Sequence, residues 1–160
     1  MSLIRALAHW LTGSWLSNLV TAHSWYVPAI QVVHIVAIAA VVIAALLINL
    51  RALGWMETGR SARTVQAAWM PVIGVALVVL ALTGVLLIAS EPGRALFRWV
   101  FWVKLGLIVA ALAVTALHRR LAEGAPAARL VAAGSLVLWF AVILAGRWIA
   151  YADGWQGAAS

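Results

Sequence analysis

Residues 25–54 read WYVPAIQVVHIVAIAAVVIAALLINLRALG, an aromatic belt followed by an apolar run that only Gln31 and His34 interrupt before Asn49 and Arg51. A helix needs about 20 apolar residues to cross the hydrocarbon core of a bilayer, and this run supplies them. The stretch is therefore read as a membrane-spanning helix over 25–50, with Pro28 tolerated in its first turn, where the missing N–H has no partner to lose. An ionisable side chain inside a span is costly. His34 is by default a functional residue, and the rest of the chain has to be searched for its partners.

The whole chain obeys the same constraint. Of 160 residues 66% are hydrophobic and 9% charged, and eleven basic with four acidic side chains cannot cover a surface of this size with polar groups. A second span is predicted over 69–90, opening on Trp69-Met70-Pro71 and stopped by Glu91-Pro92-Gly93. A third covers 97–117 and closes on His118-Arg119-Arg120; a turn through Gly124 and Pro126 leads to a fourth over 128–151. Short connections between four spans predict an all-α, up-down-up-down integral membrane bundle, followed by a polar tail over 152–160. Small residues on single faces, Ala37, Ala40 and Ala44, then Gly74, Ala81 and Gly84, then Ala132, Ser135 and Gly146, suit close helix approach or a flat cofactor.

Residues 1–24 begin with Arg5 and apolar residues, yet His9, Thr12, Gly13, Ser14, Ser17 and Asn18 break the run too often for a signal peptide. Leu3, Leu7, Trp10 and Leu11 recur at helical spacing opposite Arg5, His9 and Thr12. That pattern predicts a retained amphipathic helix lying in the interface, with Trp10 and Trp15 at headgroup depth.

The net charge of +7 does not point to nucleic acid, because the arginines sit at the ends of apolar runs and form no basic stripe. They read as topology signals and lipid-headgroup contacts. Arg51, Arg60, Arg63, Arg119, Arg120 and Arg129 fall on one side, Arg5, Arg94, Arg98 and Arg147 on the other. The positive-inside rule then places both termini outside the cytoplasm. With no cysteine there is no disulfide, iron-sulfur cluster or thiolate ligand. Neither a nucleophile elbow nor a phosphate loop is present.

Helical rise converts sequence position into depth. His34 lies about 14 Å past Trp25, Lys104 a comparable distance into the third span, and Arg147 about one turn from the end of the fourth. Gln31, His34, Lys104 and Arg147 thus share one outer-leaflet layer that holds two cations and no acid except Glu91 at its rim. An anionic ligand is implied, and haem b fits: the imidazole bonds iron while propionates meet Lys104 and Arg147 or Arg98. The plain alternative has both cations snorkelling outward and His34 bonding a backbone group or Gln31.

A second cluster, Asn49, Arg51, Met70 and His118, lies at the inner rim, where His118 with Met70 would make a His/Met haem pair or a simple headgroup contact. His34 and His118 cannot share one iron, since they differ in depth by about 18 to 20 Å. A homodimer with its axis along the membrane normal would instead pair His34 with its own copy. His23 and His9 are further metal-ligand candidates near the outer surface, where each also reads as a solvated histidine.

Several short pieces carry a resemblance: WYVPAIQVVH over 25–34, Leu50-Arg51-Ala52-Leu53-Gly54, Leu82-Thr83-Gly84, Phe101-Trp102-Val103-Lys104-Leu105 and Gly146-Arg147-Trp148-Ile149-Ala150. They resemble a bacterial family of small four-span membrane proteins known only as a domain of unknown function, whose layout is similar to b-type cytochromes and to the membrane domain of copper-resistance proteins. The resemblance marks His34, Arg51, Lys104 and Arg147. Gln31 and Asn49 stand where that pattern implies acids, which weakens a proton or metal-ion transport reading and leaves haem intact.

The leading expectation is a b-type haem protein that passes electrons between a quinone or membrane dehydrogenase and an extracytoplasmic redox partner, an electron carrier rather than a substrate-converting enzyme. One alternative is a non-catalytic membrane subunit or assembly factor that packs through its small-residue faces. Another is copper or small-solute transport through His34, Met70 and His118, for which three methionines offer few soft ligands.

Overall fold

The computed structural model describes the backbone of residues 2–56, 59–118 and 125–156, and their side chains except those of residues 2, 94, 116, 118, 147 and 149–156. Every element among them is helical: α1 Ser2–Thr12, α2 Trp15–Thr21, α3 Tyr26–Leu53, α4 Ala62–Ser90, α5 Pro92–Leu96, α6 Trp99–His118 and α7 Pro126–Gln156. This is the all-α bundle class expected, with four long helices and short connections. α3, α4 and the Pro126–Gly146 part of α7 are each long and apolar enough to cross a membrane, and α6 contributes a shorter apolar stretch, Trp99–Thr115.

The helix ends follow local chemistry. Ser14 caps α2, its hydroxyl accepting from the Ser17 N–H at 3.2 Å, and so splits the first 24 residues into two helices where one amphipathic segment was expected. α3 ends in a Schellman turn: Gly54, at φ +80°, donates to Arg51 O at 3.0 Å while Trp55 N–H reaches Leu50 O at 3.0 Å. Ser61 then opens α4 by accepting from Thr64 N–H at 3.1 Å. This cap extends the helix ahead of the apolar run at Trp69, through Arg63, Thr64 and Gln66. Pro71 lies inside α4 without ending it.

The chain divides into two compact units, Met1–Val41 with Val72–Trp99, and Val42–Pro71 with Val100–Ser160. In the first, α1 packs on α5 and touches α2. α1 carries two apolar faces. Ile4, Ala8 and Leu11 turn inward, while Leu3, Leu7 and Trp10 on the neighbouring face are exposed. The outward face, together with exposed Trp15 and Trp25, has the character of an interfacial helix surface.

Alanines are prominent among the buried residues and large apolar side chains among the exposed ones. Ala37, Val41, Ala44, Ala45 and Ile48 form the buried stripe of α3, whereas Val32, Val36 and Ile43 face outward. On α7 Ala128, Ala132 and Ser135 are buried and Leu130, Val137 and Phe140 are exposed. Water would reverse this order; lipid permits it, since backbones approach closely over small residues and large apolar side chains meet acyl chains. On α4 the buried face is Ile73, Ala76 and Thr83, and the expected small-residue positions Gly74 and Ala81 are exposed.

Candidate functional site

His34 sits on α3 two turns from its start, half-buried, and its Nδ1 lies 2.7 Å from Oγ1 of Thr83 on α4. Both residues belong to the first unit. Thr83 is buried, and its hydroxyl also contacts Val79 O, one turn earlier on its own helix, at 2.7 Å. A hydroxyl has one proton. Where that proton goes to the Val79 carbonyl, the Thr83 oxygen accepts from His34 Nδ1; where it goes to the ring, Nδ1 accepts. Either way one ring nitrogen is tied to an oxygen of the neighbouring helix, a contact of the kind that orients metal-binding imidazoles.

Gly84, the next residue along α4, lies beside the ring, where an added Cβ would stand 3.8 Å from His34 Cε1. The imidazole thus rests against the α4 backbone, held by Thr83 on one side and bounded by Gly84. Of the other residues expected in this layer, Gln31 is exposed, one turn before His34. Arg98 lies in the same unit, just before α6, half-exposed.

Lys104 belongs to the second unit, on α6, where its ammonium packs against α7 at Gly146. A Cβ at Gly146 would lie 3.6 Å from Lys104 Nζ and 3.7 Å from Cε. Gly146 therefore shapes the seat of this lysine. The shared depth of His34 and Lys104 rests on helical rise alone, because the two residues fall in different units. The side chains of Arg147 and His118 lie outside the described residues.

Elsewhere His9 and His23 are exposed, and His23 meets Tyr26 edge to face with ring centroids 4.9 Å apart. Met70 is half-buried on α4. Arg51 donates from Nε to the Arg60 carbonyl and so ties the two ends of the α3–α4 connection together. Among the described residues no group of three or more His, Cys, Asp or Glu side chains gathers to hold a metal ion.

A second polar group is buried in the second unit. Asn49 Nδ2 donates to Ala45 O at 2.8 Å and to Ser135 Oγ on α7 at 3.1 Å. Gln66 on α4 and Trp139 on α7 are also buried there, at 9% and 6% exposure, and neither Gln66 Nε2 nor Trp139 Nε1 has a hydrogen-bond partner among the described residues. Sequence reasoning singled out Asn49, took Ser135 only as a small residue for close helix approach, and left Gln66 and Trp139 unremarked. It also missed the role of Thr83, although a count would have found it: His34 stands eight residues after Tyr26 and Thr83 seven before Ser90, nearly equal depths on two helices joined by a short connection.

No curated protein and no solved structure matches the chain. A family model does, over residues 7–152, and the chain belongs to that family of unknown function, DUF6644.

Proposed function

We propose that this chain is a b-type haem protein of the bacterial inner membrane that passes electrons, with His34 as axial ligand. One observation carries the reading: the Thr83 hydroxyl lies 2.7 Å from His34 Nδ1 and ties one nitrogen of the ring to the neighbouring helix, the kind of outer contact by which a metal-binding imidazole is oriented. Gly84 lets the ring lie close to the α4 backbone, an added Cβ there standing 3.8 Å from His34 Cε1. Arg98, in the same unit, is the cation proposed to meet a propionate.

Bound haem iron would supply one-electron oxidation and reduction. The protein's part is to orient the imidazole, to surround it with apolar side chains and to keep water away. With both termini on the periplasmic side, as the distribution of arginines favours, His34 lies in the periplasmic half of its span. Electrons would pass between a lipid-phase donor such as a quinone and a periplasmic partner.

The test is a reduced-minus-oxidised absorption spectrum of detergent-purified protein from haem-replete cells, with pyridine haemochrome stoichiometry. The expected result is a b-type spectrum that His34→Ala abolishes or shifts. A folded, colourless preparation overturns the reading and favours the second one, a non-catalytic subunit packing through its small-residue faces, for which the buried alanines of α3 and α7 speak.

A further inference from the structure

We infer that Arg51 and Trp55, at the end of α3, form a docking site for the phosphate of an anionic phospholipid. Arg51 stands in the last turn of α3, half-buried, and its Nε donates to the Arg60 carbonyl across the α3–α4 connection. That bond holds the guanidinium at one edge and leaves the fork of its two Nη nitrogens for another acceptor. Among the described residues no carboxylate or carbonyl takes the protons of this fork. Trp55 is held at the same helix end by the Schellman turn, in which its N–H bonds Leu50 O, and its side chain is 77% exposed.

Depth decides the source of the anion. The 28 residues of α3 measure about 42 Å at the helical rise, against about 30 Å for the hydrocarbon core of a bilayer. Shared between the two ends, the excess is roughly one turn at each, and Arg51 lies in the last turn. Its guanidinium therefore stands at the level of lipid phosphates, where an exposed tryptophan is also at home. Charge decides the head group. Residues 51–63 carry Arg51, Arg60 and Arg63 against one acid, Glu57, which lies outside the described residues, so positive charge remains in excess when Glu57 is ionised. A zwitterionic lipid brings an ammonium of its own into this field; a polyol head group brings the phosphate alone. A topology signal needs only positive charge, which lysine supplies equally well. A planar fork, by contrast, takes two phosphate oxygens at once.

The site needs neither His34 nor haem, so its failure is distinct from that of the reading above. Detergent-purified protein is offered equimolar phosphatidylglycerol and phosphatidylcholine with the same acyl chains, and in a separate arm inorganic phosphate. Native mass spectrometry counts the lipids retained, and thermal unfolding reports stabilisation. The expected result is retention of phosphatidylglycerol in preference to phosphatidylcholine, with no stabilisation by inorganic phosphate. Arg51→Lys keeps the charge and loses the fork, and should weaken that retention about three- to tenfold. Arg129→Gln, which removes a whole charge from an exposed position on α7, should weaken it less. Diffuse attraction predicts the opposite order, because it counts charges alone. Equal retention of the two lipids, retention by Arg51→Lys at or above that of Arg129→Gln, or the same stabilisation by inorganic phosphate overturns the site. Should Arg51→Lys fail to fold, Trp55→Ala takes its place, a change at an exposed position that must weaken phosphatidylglycerol retention; undiminished retention there overturns the site as well.

Discussion

The Nδ1 of His34 and the Oγ1 of Thr83 lie 2.7 Å apart between the first two long helices, and the same oxygen contacts Val79 O, one turn earlier on its own helix, at 2.7 Å. Thr83→Val keeps the shape of the side chain and removes the hydroxyl. The expected cost is about 1 kcal/mol of stability in detergent, the range for one hydrogen bond between membrane helices. Thr83→Ser, which keeps the oxygen, should recover most of it. In a haem-containing preparation the valine variant should also shift the visible spectrum and the serine variant should not, because a freed ring can turn and change tautomer. Thermal unfolding and a spectrum of each variant check both statements.

Gly84 offers an independent probe of the same ring. An alanine Cβ would meet His34 Cε1 at 3.8 Å, an ordinary contact, and alanine favours a helix interior over glycine by about 1 kcal/mol. Gly84→Ala should therefore be neutral or stabilising. Gly84→Leu has no such room and should cost about 1–3 kcal/mol by overpacking. A leucine variant as stable as the alanine one would show that the ring does not rest against this part of α4. Thermal unfolding of the pair measures the difference.

What could be read without the structure follows from the size of each signal. Long apolar runs bounded by Trp, Pro and Arg announced the four long helices, because lipid leaves few other folds to such a chain. The cost of an ionisable group in hydrocarbon announced His34. α5 was hidden: Pro92 read as a stop, yet proline at the first position of a helix is also a start. The inner face of α4 was misjudged through Gly74 and Ala81, since glycine and alanine are at home on either side of a membrane helix, and only packing decides. Thr83, Ser135, Gln66 and Trp139 were hardest to see. Each is a residue that an apolar helix tolerates, a threonine or serine by bonding its own backbone and a tryptophan or glutamine by snorkelling, so their burial and partners appear only in three dimensions.

Asn49 and Ser135 should prove energetically coupled. Their 3.1 Å hydrogen bond joins α3 to α7 inside a buried setting, and Asn49 also holds Ala45 O at 2.8 Å. Asn49→Ala alone should cost about 1–3 kcal/mol, since Ser135 then loses its buried partner. Ser135→Ala should cost less. The double-mutant cycle should give a coupling of about 0.5–1.5 kcal/mol, measured by unfolding in detergent or mixed micelles. A coupling of zero would mean that the two helices are joined by their alanines alone.

The last relationship to test is that of Lys104 with Gly146. The lysine stem and ammonium pack where a side chain at 146 would begin, 3.6 to 3.7 Å from the position of its Cβ. Gly146→Leu should therefore push Lys104 aside and lower stability by about 1–3 kcal/mol. In a Lys104→Ala background the same leucine finds the volume the stem has left, and its penalty should shrink by at least about 1 kcal/mol. A double-mutant cycle in detergent, read by thermal unfolding, gives this compensation as a number. Equal penalties in the two backgrounds would mean that the lysine leaves α7 and points its charge elsewhere, as a snorkelling side chain does. A large compensation would instead fix the lysine side chain against the helix at Gly146.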